Sequence, residues 1–381
     1  MKNINSKLPE VSTTIFTVMS TLANTYGAIN LSQGFPNFET DKGLIDLVTL
    51  AMKKGHNQYA PMPGLLSLRE IIAQKTNTLY QSNYNPNTEV TITSGATQAI
   101  FTIISAFICP NDEVIIFKPA YDSYEPSIEL FGGTIVPIQL SMPDFTIDWQ
   151  EVATKITSKT KMVIINSPHN PSGSILSKED MLQLEKLLEG TDIILLSDEV
   201  YEHIIFDGLA HQSAAKFPGL AERSFITASF GKTFHTTGWK MGYCLAPREL
   251  MAEFRKVHQF NVFCSSHPMQ YALAEYLKNA DTYLSLPNFY QEKRDLFLSL
   301  VKDSRFSFTP ASGTYFQLLK YSAITDEGDV AFAERLTKEH NIASIPVSVF
   351  NLNQQDDKVL RFCFAKTEDT LKRAAEVLCK I

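Results

Sequence analysis

The sequence predicts an α/β fold, in which a mostly parallel seven-stranded sheet lies between helices and a smaller α+β domain follows. Between about residues 89 and 248, short apolar runs alternate with amphipathic stretches. The apolar runs are nearly continuous in Val, Ile and Leu, which is typical of parallel strands buried on both faces. After Pro247 the pattern changes to long helices and then to a second mixture of strands and helices. These observations indicate two domains built around separate sheets.

Seven apolar runs are the predicted strands of the large sheet. In order they are "EVTITSG", "DEVIIFKP", "TIVPIQL", "KMVIINSP", "DIILLSDE", "RSFITASF" and "WKMGYCLAP". One intervening helix is predicted over "SKEDMLQLEKLLEG". Ser177 and Asp180 form a capping box at its start, and Gly190 ends it. This helix covers one face of the sheet.

The C-terminal part contains a second set of predicted elements. Three helices are predicted over "RELMAEFRKVHQF", "PMQYALAEYLKN" and "NFYQEKRDLFLSLVKD". The later strands "RFSFTP", "TYFQLLKY", "ASIPVSVF" and "VLRFCFA" form a smaller sheet, covered by "DVAFAERLTKEH" and "TLKRAAEVLCKI". We therefore expect an N-terminal segment over residues 1–40 that packs with the small domain, a large domain over 41–280, and a small C-terminal domain over 281–381.

Composition and charge exclude several classes of function. The chain has 381 residues, 44% of them hydrophobic, and a net charge of -7 with no long basic run, which argues against nucleic-acid binding. Five cysteines without a C-x-x-C pair, and eight histidines without H-x-x-x-H spacing, predict reduced thiols and no metal site. The apolar run "IFTVM" is too short for a signal peptide, and no run approaches a membrane span. We expect a cytoplasmic protein whose partners are small molecules.

The stretch "SFGKTFHTTGWKMGY" contains Gly-Lys-Thr and raises the question of whether Lys232 binds a nucleotide phosphate. A phosphate-binding loop has the pattern G-x-x-x-x-G-K-[ST], and its first glycine would fall on Ile226. The acidic strand that contains Asp198 also precedes Lys232, the reverse of the usual order in such ATPases. Both facts argue against an ATPase and favour a lysine used for covalent chemistry.

A lysine that forms a Schiff base to pyridoxal phosphate needs an acid for the pyridine nitrogen and an anion site for the phosphate. Asp198 ends an apolar strand, so its carboxylate is expected in the crevice at the carboxyl ends of the strands. In "TITSGATQAIF" a strand leads through Ala96 and Thr97 into a helix, whose N-terminus favours a dianion. Ser229 and Lys240 flank Lys232 and could add a hydroxyl and a positive charge.

Two further strand ends supply polar groups for the same ligand. "NSPHNPSG" follows another buried strand, and its turn would aim the Asn170 amide into the crevice. Tyr201, three residues after Asp198, could donate a hydrogen bond to the O3′ oxygen of the cofactor. Taken singly, each of these residues has an ordinary structural explanation. Four strand ends that each supply a suitable group favour a cofactor site.

The motif around Lys232, together with "NSPHNPSG", "SDEVYEH" and "TSGATQA", resembles the class I and II aminotransferases, which are pyridoxal-phosphate enzymes of fold type I. The resemblance extends from "LSQGFPNF" to "LRFCFAK", nearly the whole chain. "NQYAPMPG" and "PAYDSYEP" resemble the branch of methionine aminotransferases and of kynurenine aminotransferase/cysteine-conjugate β-lyases. The resemblance implies a large domain that binds the cofactor and a homodimer.

The resemblance also implies a role for individual residues. It implies that Lys232 is the lysine that bears the cofactor. The other residues expected to bind the cofactor are Ala96, Thr97, Tyr121, Asn170, Asp198, Tyr201, Ser229, Lys240 and, from the neighbouring subunit, Tyr59. The expected substrate contacts are Gly34, Asn170 and Arg361, the last gripping the α-carboxylate. Lys240 stands where the broader family has an arginine, and the lysine keeps the positive charge.

The implied reaction is transfer of an amino group from an L-amino acid to a 2-oxo acid by a ping-pong mechanism. Aromatic and polarisable side chains around Tyr121, Phe263 and Met269 predict a pocket for an apolar substrate, with methionine preferred. A cysteine-S-conjugate β-lyase or a kynurenine aminotransferase would use the same residues and stays open. A non-catalytic sensor of the same fold would require an additional DNA-binding module, and about thirty residues before "LSQGFPNF" are too few for one.

Overall fold

The structure is a computed structural model that describes residues 5–381. Its helices are α1 Ile15–Tyr26, α2 Lys42–Lys53, α3 Leu66–Tyr80, α4 Gly95–Phe107, α5 Tyr124–Leu130, α6 Trp149–Lys155, α7 Lys178–Leu188, α8 Pro218–Ala221, α9 Phe230–Thr233, α10 Arg248–Asn261, α11 His267–Tyr276, α12 Asp281–Leu284, α13 Leu286–Val301, α14 Asp329–Glu339 and α15 Glu368–Leu378. Its strands are β1 Ile29–Asn30, β2 Val90–Thr93, β3 Glu113–Lys118, β4 Thr134–Gln139, β5 Thr160–Asn166, β6 Ile194–Asp198, β7 Ser224–Ser229, β8 Gly242–Leu245, β9 Phe316–Lys320, β10 Ile342–Ala343, β11 Ile345–Pro346 and β12 Val359–Cys363.

The large sheet has seven strands in the order β2-β8-β7-β6-β5-β3-β4. Strands β3 to β7 pair in parallel with their neighbours, whereas β8 is antiparallel to both β2 and β7. Every residue of β6 is buried, as expected for a strand covered on both faces. The prediction of a mostly parallel seven-stranded sheet between helices is therefore confirmed.

Alternate residues of the central strands contribute to two hydrophobic cores. Val163 and Leu195 pack into the larger core, whereas their neighbours Ile164 and Leu196 pack into the core on the opposite face. Helix α7 closes the first core, and its predicted capping box between Ser177 and Asp180 is confirmed. The two cores hold the sheet rigidly, so the strand ends form a stable platform.

The remaining strands form two small sheets near the chain ends. Strands β9, β11 and β12 form an antiparallel sheet in the order β11-β12-β9, and β1 pairs in parallel with β10. Ile29 lies opposite Ile342, so the N-terminal segment is joined to the C-terminal part by strand pairing. The domain boundaries at residues 40 and 280 stay predictions, and residues 1–4 lie outside the described part.

Two predicted strands of the small domain are wrong. "RFSFTP" makes only an isolated bridge, in which Ser307 and Lys320 exchange backbone hydrogen bonds. The pairing stops there, because the Gln317 side chain donates to the Thr309 and Leu318 carbonyls that would form the next pair. "ASIPVSVF" is not one strand either. Ile342–Ala343 pairs with β1, Ile345–Pro346 pairs with β12, and the chain then turns into a short 3-10 helix at Ser348–Phe350. The segment changes sheets at Ser344.

Over residues 5–381, none of the helices has both the length and the apolar composition needed to cross a membrane. All five cysteines are free thiols.

Candidate active site

A cleft opens at the carboxyl edge of the large sheet, where ligands bind in open α/β folds. Asn166, Asp198 and Ser229 end the three adjacent parallel strands β5, β6 and β7 at this edge. The cleft spans about 730 Å³, part of which is open to solvent. Its walls are formed by Gly95, Ala96, Thr97, Ile100, Tyr121, Asn166, Asn170, Asp198, Val200, Tyr201, Ser229, Gly231, Lys232, Thr237, Lys240 and Met241. Nine of the predicted site residues are therefore brought together in one cleft.

Lys232 lies in the short helix α9, directly after β7, and its amide donates to the Ser229 hydroxyl over 3.4 Å. Its Nζ donates to the Gly34 carbonyl at 3.2 Å and lies 5.8 and 5.7 Å from the ring centres of Tyr201 and Tyr315. Burial lowers the pKa of this amine to about 8, and nearby cations contribute to the shift. A substantial neutral fraction is thus available near neutral pH, as a nucleophile or a base requires.

Asp198 is buried at the end of β6 and faces Lys232 across the cleft. Its Oδ2 accepts a hydrogen bond of 2.5 Å from the Tyr124 hydroxyl, and its Oδ1 accepts one of 3.4 Å from the Val200 amide. Burial raises the pKa of the carboxyl to about 6, although the bond from Tyr124 opposes this rise. The carboxylate is therefore ionised at neutral pH and is placed to hold a positively charged ring nitrogen.

The start of helix α4 forms the other end of the cleft. Gly95 has φ +75°, which lets the chain turn sharply from β2 into the helix. The Ser94 side chain makes no capping hydrogen bond, so the first N–H groups of α4, including those of Ala96 and Thr97, are left for a ligand. A methyl group on Gly95 would lie 3.7 Å from Lys240 Nζ, so the ammonium lies beside the helix start. This end of the cleft suits a dianion.

Arg361 projects from β12 and is 1% exposed. Its Nη1 donates to Asn170 Oδ1 at 2.7 Å, and its Nη2 donates to the Ser32 carbonyl at 3.0 Å. Its Nε has no partner, and no ion pair involves Arg361 over residues 5–381. A buried guanidinium with a free N–H and no counter-ion is suited to a substrate carboxylate.

Gly34 joins the N-terminal segment to the cleft. Its carbonyl accepts from the Tyr315 hydroxyl at 2.6 Å as well as from Lys232. A Cβ at this position would lie 2.8 Å from Phe316 Cζ, so only glycine permits this approach. Tyr121 borders the cleft, with its hydroxyl 3.5 Å from Thr97 Oγ1.

Tyr59 does not line the cleft of its own chain. It is 83% exposed, and its ring packs edge-on against Phe263 at 5.6 Å. The expectation that Phe263 and Met269 line the same pocket as Tyr121 is wrong for a single chain. Phe263 lies on the surface beside Tyr59, and Met269 packs against the larger core, because α11 directs it inward.

Three residues of the site escaped the sequence interpretation. Asn166 ends β5, donates to the Asp198 carbonyl at 2.9 Å and accepts from the Asn170 amide at 2.8 Å. Asn166, like Asp198, ends a buried strand, and that pattern could have identified it. Tyr124 stands three residues after Tyr121 in "PAYDSYEP", whereas Tyr315 reaches the site from a distant segment.

The comparisons with known proteins agree with this geometry. Residues 26–378 match the family described as aminotransferase class I and II. The chain is 47% identical to the methionine aminotransferase of Escherichia coli (strain K12), over 98% of this chain and 97% of that protein. It is 33% identical to human kynurenine–oxoglutarate transaminase 3, over 99% of this chain and 90% of that protein. The solved structure of Escherichia coli YbdL is described as having a methionine aminotransferase function. It aligns with this protein over 100% of both chains, with a TM-score of 0.97 and 46% sequence identity. The chain therefore belongs to the class I and II aminotransferase family.

Proposed function

We propose that the protein is a pyridoxal-phosphate-dependent aminotransferase that moves the α-amino group of L-methionine, or of another apolar or aromatic L-amino acid, to a 2-oxo acid. One observation carries the proposal. A buried lysine amine, an aspartate carboxylate and an uncapped helix N-terminus line one cleft. The identity of 47% to a methionine aminotransferase over nearly the whole chain supports the choice of substrate.

The donor set fits pyridoxal phosphate. The helix start at Ala96, with the Ser229 hydroxyl and the Lys240 ammonium, would hold the phosphate, and Asp198 would hold the protonated pyridine nitrogen. Asn170 accepts from Arg361 through Oδ1, which leaves its amide N–H groups to donate into the cleft. When bound, the cofactor supplies an aldehyde that takes up the amino group and a ring that withdraws electrons from the substrate Cα.

The side chains of this protein divide the remaining work. Lys232 Nζ in its neutral form accepts the proton that leaves the substrate Cα. Arg361 binds the α-carboxylate and so fixes the orientation of the Cα–H bond toward Lys232. Tyr201 is 2% exposed and lines the cleft beside Lys232, where its hydroxyl would donate to the cofactor O3′. Gly34 lets the N-terminal segment pass close to the Phe316 ring, so that its carbonyl reaches Lys232 Nζ.

Apolar substrates fit the cleft wall next to Arg361. Phe16 from α1 lies 5.2 Å from the Arg361 guanidinium and stacks on Phe350 at 5.7 Å. Together with Tyr121 these rings border a crevice that adjoins Asn170. A thioether or an aromatic side chain would pack against such rings, whereas a side-chain carboxylate would lose hydration without gaining a cation.

The experiment is a comparison of kcat/KM for methionine, phenylalanine, kynurenine and aspartate, with a common 2-oxo acid as acceptor. We expect methionine or an aromatic amino acid to be preferred by more than about tenfold over aspartate. A preference for aspartate would contradict the proposed substrate. The Lys232→Ala variant is the control, and it should bind the cofactor without turning over.

A second candidate activity uses the same residues. The aromatic side chain of kynurenine would also pack against rings such as those of Phe16 and Phe350, and human kynurenine–oxoglutarate transaminase 3 is 33% identical to this chain. A cysteine-S-conjugate β-lyase would begin with the same proton removal by Lys232. Release of pyruvate from a cysteine conjugate without any 2-oxo acid would identify elimination, since a transaminase needs an acceptor for turnover.

We also propose a homodimer in which Tyr59 completes the site of the neighbouring subunit. Tyr59 is 83% exposed and Phe260 is 86% exposed, and Phe263 extends the same aromatic surface beside Tyr59. Exposed aromatic residues of this kind favour a protein interface. The free cysteines are compatible with the reducing cytoplasm that we propose as its compartment.

A further inference from the structure

Tyr124 is the first residue of α5 and is 3% exposed. It does not line the cleft that contains Lys232, but its hydroxyl donates to the carboxylate of Asp198, which does. The distance of 2.5 Å to Asp198 Oδ2 is that of a short, charge-assisted hydrogen bond. Tyr124 is therefore connected to the cleft through Asp198.

The segment that carries Tyr124 is itself well anchored. Lys118 Nζ contacts both carboxylate oxygens of Glu125 at 2.9 Å, and the Tyr124 amide donates to the Tyr121 carbonyl at 3.2 Å. The rings of Tyr121 and Tyr124 meet edge-on at 5.8 Å. One short segment thus presents the ring of Tyr121 to the cleft and the hydroxyl of Tyr124 to the carboxylate behind it.

We propose that Tyr124 is a positioning residue, whose hydroxyl fixes both the orientation and the negative charge of the Asp198 carboxylate. This inference rests on the proposed function, because Asp198 needs a charged ligand for its charge to matter. The bond from Tyr124 to Oδ2 and the longer bond from the Val200 amide to Oδ1 together hold the carboxylate in one orientation. The titratable groups that face Asp198 are Tyr121, Tyr124, Glu199, Tyr201 and Lys232.

The burial of Asp198 determines how its pKa would change if the Tyr124 hydroxyl were removed. Burial raises the pKa of Asp198 to about 6, and the bond from Tyr124 lowers it. Burial and the Asp198 charge raise the pKa of Tyr124 well above its usual value, so the phenol stays a donor. Without this donor, the pKa of Asp198 rises further, and the carboxyl becomes neutral over part of the range near pH 7.

The test measures the dissociation constant of pyridoxal phosphate from the apoprotein at pH 6.5, 7, 8 and 9, by absorption titration. We expect Tyr124→Phe to bind about tenfold more weakly than wild type at pH 6.5 and within about twofold at pH 9, where Asp198 is ionised in both proteins. A deficit of equal size at every pH, or no deficit, would overturn the proposal. If wild type itself fails to bind, the proposed function fails instead.

Tyr321→Phe is the matched control, because it removes another buried hydroxyl, which donates to the Glu327 carbonyl at 2.9 Å in the small sheet region. It should bind pyridoxal phosphate like wild type at each pH. In an Asp198→Asn background, Tyr124→Phe should change the dissociation constant by less than about twofold, because no charge is left to stabilise. A tenfold change there would also overturn the proposal.

Thermal unfolding of each apoprotein checks that the variants fold. Should Tyr124→Phe be unfolded, Tyr124→His carries the test, since imidazole keeps an N–H donor in the same place. We expect Tyr124→His to recover most of the lost affinity at pH 6.5. A folded Tyr124→His protein without that recovery would contradict a role for the donor.

Discussion

Burial has opposite consequences for the two central residues of the site. It lowers the pKa of Lys232 to about 8 and raises the pKa of Asp198 to about 6. Both shifts favour the neutral form, as expected when a charge is removed from water. Between pH 7 and 8 the lysine has a useful neutral fraction while the carboxylate is mostly charged. The same fold thus provides a base and an anion in one cleft.

The pH dependence of covalent capture tests the state of Lys232. Because only the neutral amine attacks an aldehyde, the rate at which the apoprotein captures pyridoxal phosphate should rise about tenfold between pH 7 and 9 and then level off. Stopped-flow absorption measures this rate. Free Nα-acetyl-lysine is the reference, and its rate should continue to rise toward pH 10.5. A protein rate that follows the free amine would contradict a lowered pKa.

At the scale of elements, a buried ion network holds the loop that follows Asp198 and carries Tyr201. Glu202, just beyond β6, accepts from Lys75 at 2.6 Å, from Tyr80 at 2.7 Å and from Tyr243 at 2.8 Å. The donors come from α3 and β8, so the network joins a helix and a strand to the loop. Burial opposes the charge of Glu202, but Lys75 and the other donors outweigh it and lower the pKa of the carboxyl well below its usual range.

Removing this charge should destabilise the fold. Glu202→Gln leaves the Lys75 ammonium buried without an anion, and we expect the free energy of unfolding to fall by about 3 to 5 kcal/mol at pH 7. Since the folded pKa of Glu202 is depressed, the stability it contributes is present above its unfolded pKa of about 4.5 and is lost as pH falls. Urea unfolding of the apoprotein measures the change. Glu253→Gln, in an exposed pair with Lys256, is the control and should have little effect.

The helices and strands differ in how well they can be predicted from the sequence. Long apolar runs with clear turns, such as β6 and the capped helix α7, were predicted correctly, because local pattern and tertiary burial agree. "RFSFTP" and "ASIPVSVF" were not, since their pairing depends on partners far along the chain. The same limit applies to the site. Strand-end residues such as Asp198 are predictable, whereas only tertiary packing brings Tyr315 to the Gly34 carbonyl and the Tyr124 hydroxyl to Asp198.

At the scale of the molecule, the proposed dimer makes each site depend on two chains. Tyr59→Ala and Lys232→Ala should each be inactive or strongly impaired as homodimers. When the two are co-expressed, a mixed dimer contains one site with both Lys232 and the Tyr59 of the other chain. We therefore expect the purified mixed dimer to regain up to about half of wild-type activity, a value set by one intact site in two.

The mixed dimer also distinguishes a Tyr59 that completes the neighbouring site from a Tyr59 that serves the site of its own chain. If Tyr59 served its own chain, neither site of the mixed dimer would be intact and no activity would return. Tyr26→Ala, another exposed tyrosine, is the matched control and should leave the homodimer active.

We propose that Lys232 and its cleft carry out transamination of an apolar amino acid. The most direct measurement is the visible absorption spectrum of the protein loaded with pyridoxal phosphate, recorded as L-methionine is added without any acceptor. We predict that the visible band disappears while one equivalent of the corresponding 2-oxo acid forms per site, and that a second 2-oxo acid restores the band. The Lys232→Ala protein should show neither change. A visible band that persists with methionine and with aromatic amino acids, or a Lys232→Ala protein that forms the 2-oxo acid at the wild-type rate, would contradict the account.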